Sequence, residues 1–182
     1  MIKLIIFLLL SIPLLFISWR TFFKINNHGL YRFLAWECIL WLLINNISYW
    51  IRNPFSIHQI FSWLFLILSL YFVIAGFLLM KQSGRQINNR EGEALYTFEK
   101  TSHLIQTGIF KYIRHPMYSS LIFFTWGVFL KNPTVGLLVV SCFSTLFLYV
   151  TAKLEEFENI DFFGREYIDY KKRSKMFVPF LF

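Results

Sequence analysis

Between Ile57 and Met80 the chain runs for 24 residues without an Asp, Glu, Lys or Arg. As a helix this run rises about 36 Å, enough to cross a hydrocarbon core of about 30 Å. In lipid only helices and closed barrels satisfy every backbone group, and a run this long is not a barrel strand. Four more apolar segments accompany it: Ile2–Trp19, Leu30–Trp50, Met117–Leu130 and Thr134–Ala152. Met117–Leu130 has only 14 residues, short for a span. Asn132-Pro133 makes the last two segments a hairpin. The first segment is read as a retained span. It lacks a small-x-small cleavage site, and Arg20 and Lys24 follow it rather than precede it. Pro13 is a potential kink. Charged residues are 15% of the chain, against about 25% in ordinary soluble domains. A soluble particle of this size has too little interior for such a sequence, and disorder is excluded because the chain is too apolar. The expected fold class is therefore an all-α integral membrane protein with about five transmembrane helices. Residues 1–80 supply three of them. Residues 81–182 form a core of loop, helical hairpin and C-terminal tail.

Charge orients this arrangement. With the N-terminus outside, 15 of the 18 basic residues fall on one side, and only Lys3, Arg52 and Lys131 on the other. By the positive-inside rule the loop from Lys81 to His115 and the C-terminal tail are expected in the cytoplasm. The +8 net charge is thus assigned to the membrane surface, not to nucleic acid. Cys38 and Cys142 lie in apolar runs with no metal-ligand spacing, and read as buried small side chains. Glu37 is expected to pair or snorkel, Asn45 and Asn46 to bond neighbouring helices, and His28 and His58 to sit at the interface. No nucleophile triad, Walker loop, GxGxxG or metal constellation is present.

Polar chemistry concentrates in two clusters. The first is Thr107-Gly-Ile-Phe-Lys-Tyr-Ile-Arg-His-Pro-Met-Tyr118. Pro116 suits the first turn of a helix, which places Arg114 and His115 at its entrance beside unpaired backbone donors. An interfacial anchor explains the same residues. The second cluster contains Glu155-Glu156, Phe163-Gly-Arg-Glu-Tyr167 and Tyr170-Lys-Lys-Arg173. Acids directly after a span oppose the helix dipole unless a cation faces them. The alternative is a solvated amphipathic tail on the membrane surface.

Together the clusters resemble the C-terminal signature of the isoprenylcysteine carboxyl methyltransferases and of the wider membrane methyltransferases, phospholipid N-methyltransferases included. The resemblance rests on Leu104-Ile-Gln-Thr-Gly-Ile-Phe110, Arg114-His-Pro-Met-Tyr118, Asn132-Pro133, Glu155-Glu156, Phe163-Gly-Arg-Glu-Tyr-Ile-Asp-Tyr170, Lys171-Lys-Arg173 and Pro179. It covers about Ser102–Phe180. It implies a membrane enzyme using S-adenosyl-L-methionine, with a cofactor pocket closed by the loop before the hairpin and the tail after it. Carried over residue by residue, the cofactor contacts are His103, Leu104, Ile105, Phe110, His115, Pro116, Met117, Tyr118 and Glu155. Arg173 and Glu156 are the catalytic candidates, and no metal is implied. The acceptor is expected to be lipophilic: an isoprenylcysteine carboxylate, a lipid or an isoprenoid. Phe110 departs from the family tyrosine. The prenylcysteine enzymes carry an arginine about four residues before the first Glu, where this chain has Thr151, with Lys153 the nearest cation. Adjacent helical residues point about 100° apart, so only one of the two acids can readily face the pocket; the resemblance selects Glu155, which leaves Glu156 to solvent. The rival readings are a non-enzymatic membrane scaffold and a sterol-reductase-like enzyme using NADPH.

Overall fold

A computed structural model of the protein describes residues 1–19, 28–83 and 103–179. The described chain is helical: α1 (Ile2–Ser18), α2 (His28–Asn46), α3 (Ile57–Ser83), α4 (Pro116–Phe129), α5 (Val135–Phe163) and α6 (Arg165–Arg173). The start of α1, the end of α2 and the α4–α5 turn line one groove, where Lys3 meets Asn45. Gln59, at the start of α3, donates to the carbonyls of Tyr49 and Lys131 at the same end. The five long helices therefore alternate in direction.

Among the described residues two helices are long and apolar enough to cross a membrane, α3 and α5. Only 17% of the most apolar window of α3 is buried. A core helix of a soluble protein would be mostly covered; this one presents Ile60, Leu64, Ile67, Leu70, Ile74 and Leu78 outward. α1 is apolar but has only 17 residues, and α2 carries Arg32 and Glu37 within its 19.

Small residues let α3 and α4 approach closely. A Cβ on Gly127 would lie 2.9 Å from Leu66 Cγ, and one on Gly76 would lie 3.1 Å from Pro116 Cγ. Ser62 Oγ donates to Gly127 O at 2.6 Å. This is the small-residue packing expected where both solvents are oily. Asn46 Nδ2 reaches from α2 to Val128 O at 2.7 Å, and Ser11 Oγ of α1 donates to Glu37 Oε2 at 2.6 Å. Glu37 is thus paired between helices. Asn45 Nδ2 bonds its own helix at Trp41 O, while its Oδ1 receives Lys3. Cys142 is exposed, not buried as expected, and Cys38 is half-buried.

One apolar cluster holds Ala35 of α2, Tyr118 of α4, Leu148 and Ala152 of α5, and Met176 and Phe177 of the tail. It fastens three helices and the tail directly beneath the polar site.

The α5 helix corrects one expectation. The apolar run ends near Ala152, but the helix continues to Phe163. Glu155 and Glu156 therefore sit inside it, two turns before its end, and the helix-dipole argument does not apply to them. Gly164 then breaks the chain with φ 60° and ψ −132°, a conformation essentially open only to glycine, and α6 begins.

Candidate active site

The segment before α4 is shaped by glycine and proline. Gly108 opens a short 3-10 turn at φ 58°, and a Cβ there would stand 2.5 Å from Leu79 Cδ1. Pro116 begins α4 and His115 is its N-cap residue. The tail runs alongside. Arg114 N donates to Lys175 O at 2.8 Å, His115 N to Met176 O at 3.2 Å and Lys175 N to Tyr112 O at 2.9 Å. Ser119 Oγ adds a bond to Phe177 O at 2.8 Å. Tyr170 Oη donates to Phe110 O at 2.6 Å. Burial, with Glu156 nearby, pushes the Tyr170 hydroxyl far above the ordinary tyrosine range, and burial beside Glu156 and Glu155 does the same to Tyr167. Both remain neutral donors. The loop and the tail expected to enclose a site are thus joined by backbone pairing.

Glu156 lies at the centre and is 1% exposed. Arg114 Nε donates to its Oε1 at 2.7 Å, and Lys171 Nζ stands 2.8 Å from its Oε2. Arg114 Nη1 also donates to the carbonyls of Lys171 and Ser174. His115 bridges the two acids, with Nε2 3.6 Å from Glu156 Oε1 and Nδ1 3.9 Å from Glu155 Oε2. The His115 and Tyr118 rings stack at 5.6 Å, and the Tyr118 hydroxyl lies on the Glu155 side of the stack. Glu155 also takes the charges of His28 and Arg32 from α2.

This overturns the expectation that one acid faces inward and the other faces water. Both face inward, and Glu156 is the more enclosed, with 2% of its side chain exposed against 19% for Glu155. Two helical residues 100° apart can both be covered when α4 packs on one side and the tail on the other. Arg114, Lys171 and Glu156 form a closed ion-pair network. Glu155 keeps an accessible edge.

Phe110, His115, Pro116 and Tyr118 are buried around the α4 entrance and Met117 is half-buried there; Leu104 and Ile105 are half-buried and His103 is exposed. Arg173 lies at the exposed surface, donating to Gln106 Oε1 at 2.9 Å and to Asp169 O. It is not among the side chains gathered at the acids. Thr151 is buried and bonds its own helix at Phe147 O. Four residues absent from the sequence-derived site set do reach the acids or their neighbours: Arg114, Lys171, Arg32 and His28. His28 was expected at the interface, yet it is 1% exposed, with Nδ1 2.8 Å from Glu158 Oε1. The signal was present: His28 and Arg32 are four apart and Glu155 and Glu158 three apart, so each pair shares a helix face. Among the described residues no group of three or more His, Cys, Asp or Glu could hold a metal ion.

Comparisons with known proteins bear on this geometry. Over 71 residues the chain is 37% identical to methanethiol S-methyltransferase 1 of Bradyrhizobium diazoefficiens, covering 39% of this chain and 24% of that protein. It is 36% identical over 83 residues to the mouse protein-S-isoprenylcysteine O-methyltransferase, covering 44% and 29%. The Xenopus laevis enzyme of the same name is 30% identical over 123 residues, covering 66% of this chain and 42% of that protein. The chain thus aligns with less than half the length of these relatives. No solved structure matches it. A family described as phospholipid methyltransferase matches residues 57–170, from the start of α3 through both acids to Tyr170. That stretch is more than half of the sequence, and the chain belongs to the phospholipid methyltransferase family.

Proposed function

We propose that the protein is a membrane methyltransferase that takes its methyl group from S-adenosyl-L-methionine and passes it to a small apolar or lipid-borne acceptor. The observation that carries this reading is the pair of acids on α5. Glu156 is closed off by Arg114 and Lys171, while Glu155 keeps an exposed edge beside the His115–Tyr118 stack. A carboxylate held among aromatic rings suits a cationic ligand. The cofactor supplies an activated methyl on a sulfonium. Glu155 would face its positive charge, and Phe110, His115, Pro116, Met117 and Tyr118 would line the adenine and amino-acid parts. The Arg114–Glu156–Lys171 network would hold the tail against the α4 entrance and keep water out. In-line transfer then draws its rate from positioning and dehydration. Relatives named for methanethiol and for isoprenylcysteine acceptors support an apolar nucleophile.

The test is calorimetric binding of S-adenosyl-L-methionine to detergent-purified protein, with NADPH as comparison, followed by labelled-methyl transfer to a panel of thiols, prenylcysteine carboxylates and phospholipids. Binding of the first ligand alone, with labelled product, is expected. Preference for NADPH would replace the reading with a reductase, and tight binding without any product would leave a scaffold. The split of basic residues supports a cytoplasmic position for the site. Cysteine labelling from outside intact cells should reach a site near Arg52 and fail near Lys172.

A further inference from the structure

His28 of α2 lies outside the family-matched stretch, and its surroundings are those of a base. Its Nδ1 is 2.8 Å from Glu158 Oε1. An ionised carboxylate can only accept, so the neutral ring carries its proton on Nδ1 and its lone pair on Nε2. That Nε2 is buried and has no hydrogen-bond partner among the described residues. A buried polar atom without a partner is costly unless something completes it. The charged groups facing His28 are Arg32 from its own helix and Glu155 and Glu158 from α5. Glu155 is the acid that also faces His115 and Tyr118.

We propose that His28 Nε2 is the proton acceptor for a methyl-accepting thiol, with Glu158 as its positioning residue. The inference deepens the methyl-transfer reading and rests on it. An alkanethiol is mostly protonated near neutral pH and attacks only as thiolate. A carboxylate acceptor is already ionised and needs a cation, not a base. In the step, the S–H bond breaks and the proton moves to His28 Nε2. The electron pair left on the acceptor sulfur forms the new S–CH3 bond. The methyl group's old bond breaks with its pair retained on the donor sulfur, which becomes a neutral thioether. One positive charge leaves the donor and one appears on the imidazole, where Glu158 offsets it. The site's net charge is unchanged.

The first measurement needs no cofactor. Nitrogen-15 spectra of histidine-labelled protein should show His28 protonated on Nδ1, and Glu158→Gln should shift that signal. The second compares acceptors of graded acidity. His28→Gln should lower kcat for an alkanethiol about 100-fold or more, yet lower it less than about 3-fold for an aryl thiol already ionised, with S-adenosyl-L-methionine affinity retained. Should His28→Gln fail to fold, Glu158→Gln, whose side chain is partly exposed, should reproduce the same acidity dependence at smaller amplitude. Equal losses across the thiol series, or a proton resting on Nε2, would overturn the proposal. Transfer by the unaltered protein to carboxylates or phospholipids but to no thiol would overturn it while leaving the methyltransferase reading intact. Failure to bind the methyl donor would remove both.

Discussion

Glu156→Gln keeps the shape of the side chain and removes its charge. Arg114 would then sit 9% exposed without its counter-ion. Breaking a buried ion pair from one side costs about 3–5 kcal/mol, because the remaining charge is stranded. Two features of the site reduce that. Lys171 is 31% exposed, so its ammonium can turn to water, and its own contribution is under about 1 kcal/mol. Arg114 also keeps the carbonyls of Lys171 and Ser174 as acceptors. The expected loss is therefore about 2–4 kcal/mol. It should be read by denaturant unfolding of the cofactor-free protein in mixed micelles, so that ligand binding does not enter. A cycle with Arg114→Met identifies the source. Once the guanidinium is gone, Glu156→Gln should cost at least about 1.5 kcal/mol less than it does alone. Lys171→Met should show a coupling below about 1 kcal/mol. A loss under about 1 kcal/mol for Glu156→Gln, or equal coupling to Arg114 and Lys171, would refute the view that a buried pair closes the site.

Gly127→Val should destabilise the α3–α4 contact by about 1–3 kcal/mol, seen as a lower unfolding midpoint, since its Cβ would meet Leu66 Cγ at 2.9 Å and Leu66 N at 3.2 Å. Gly164→Ala meets no atom within 4 Å, so any loss comes from backbone strain alone, about 1–3 kcal/mol in the same assay. Tyr170→Phe removes the donor to Phe110 O and should cost about 0.5–1.5 kcal/mol, with faster amide exchange at Phe110–Ile113. Glu155→Gln should weaken S-adenosyl-L-methionine binding by at least tenfold in calorimetry while shifting the unfolding midpoint less than Glu156→Gln does.

The apolar helices were legible because lipid-facing composition needs no tertiary information. The start of α3 at Ile57 follows from composition, and the segment read as Met117–Leu130 lies one residue from the observed Pro116–Phe129, because proline and turn chemistry act locally. The far end of α5 was not legible. Past Ala152 the sequence is polar enough to look like a tail, and reading for spans cannot see a helix that leaves the apolar layer. The motif residues at the α4 entrance were found, but their burial was not, because it depends on where the tail returns. Glu156 shows this most clearly. On its own helix it is simply a neighbour of Glu155, and its enclosure comes from Arg114, 42 residues earlier, and Lys171, 15 residues later. His28 and Arg32 were hidden for the opposite reason. They sit at the margin of an apolar run, where lipid headgroups explain cations well enough that the facing acids of α5 go unexpected.

The pairing of Tyr112–His115 with Ser174–Phe177 sets an order of assembly. Chains are made from the N-terminus, so α2, α4 and both acids exist before the segment that covers them. Until residues 171–177 arrive, Glu156 has Arg114 beside it but neither Lys171 nor a lid, and the backbone donors of Arg114 and His115 lack the tail carbonyls that accept from them. The acids are thus delivered to the membrane in an unfinished site that is completed from the far end of the chain. A nascent protein arrested before Lys171 should insert its helices and leave the two acids uncovered, and completion of the site would then be a late, post-insertion event.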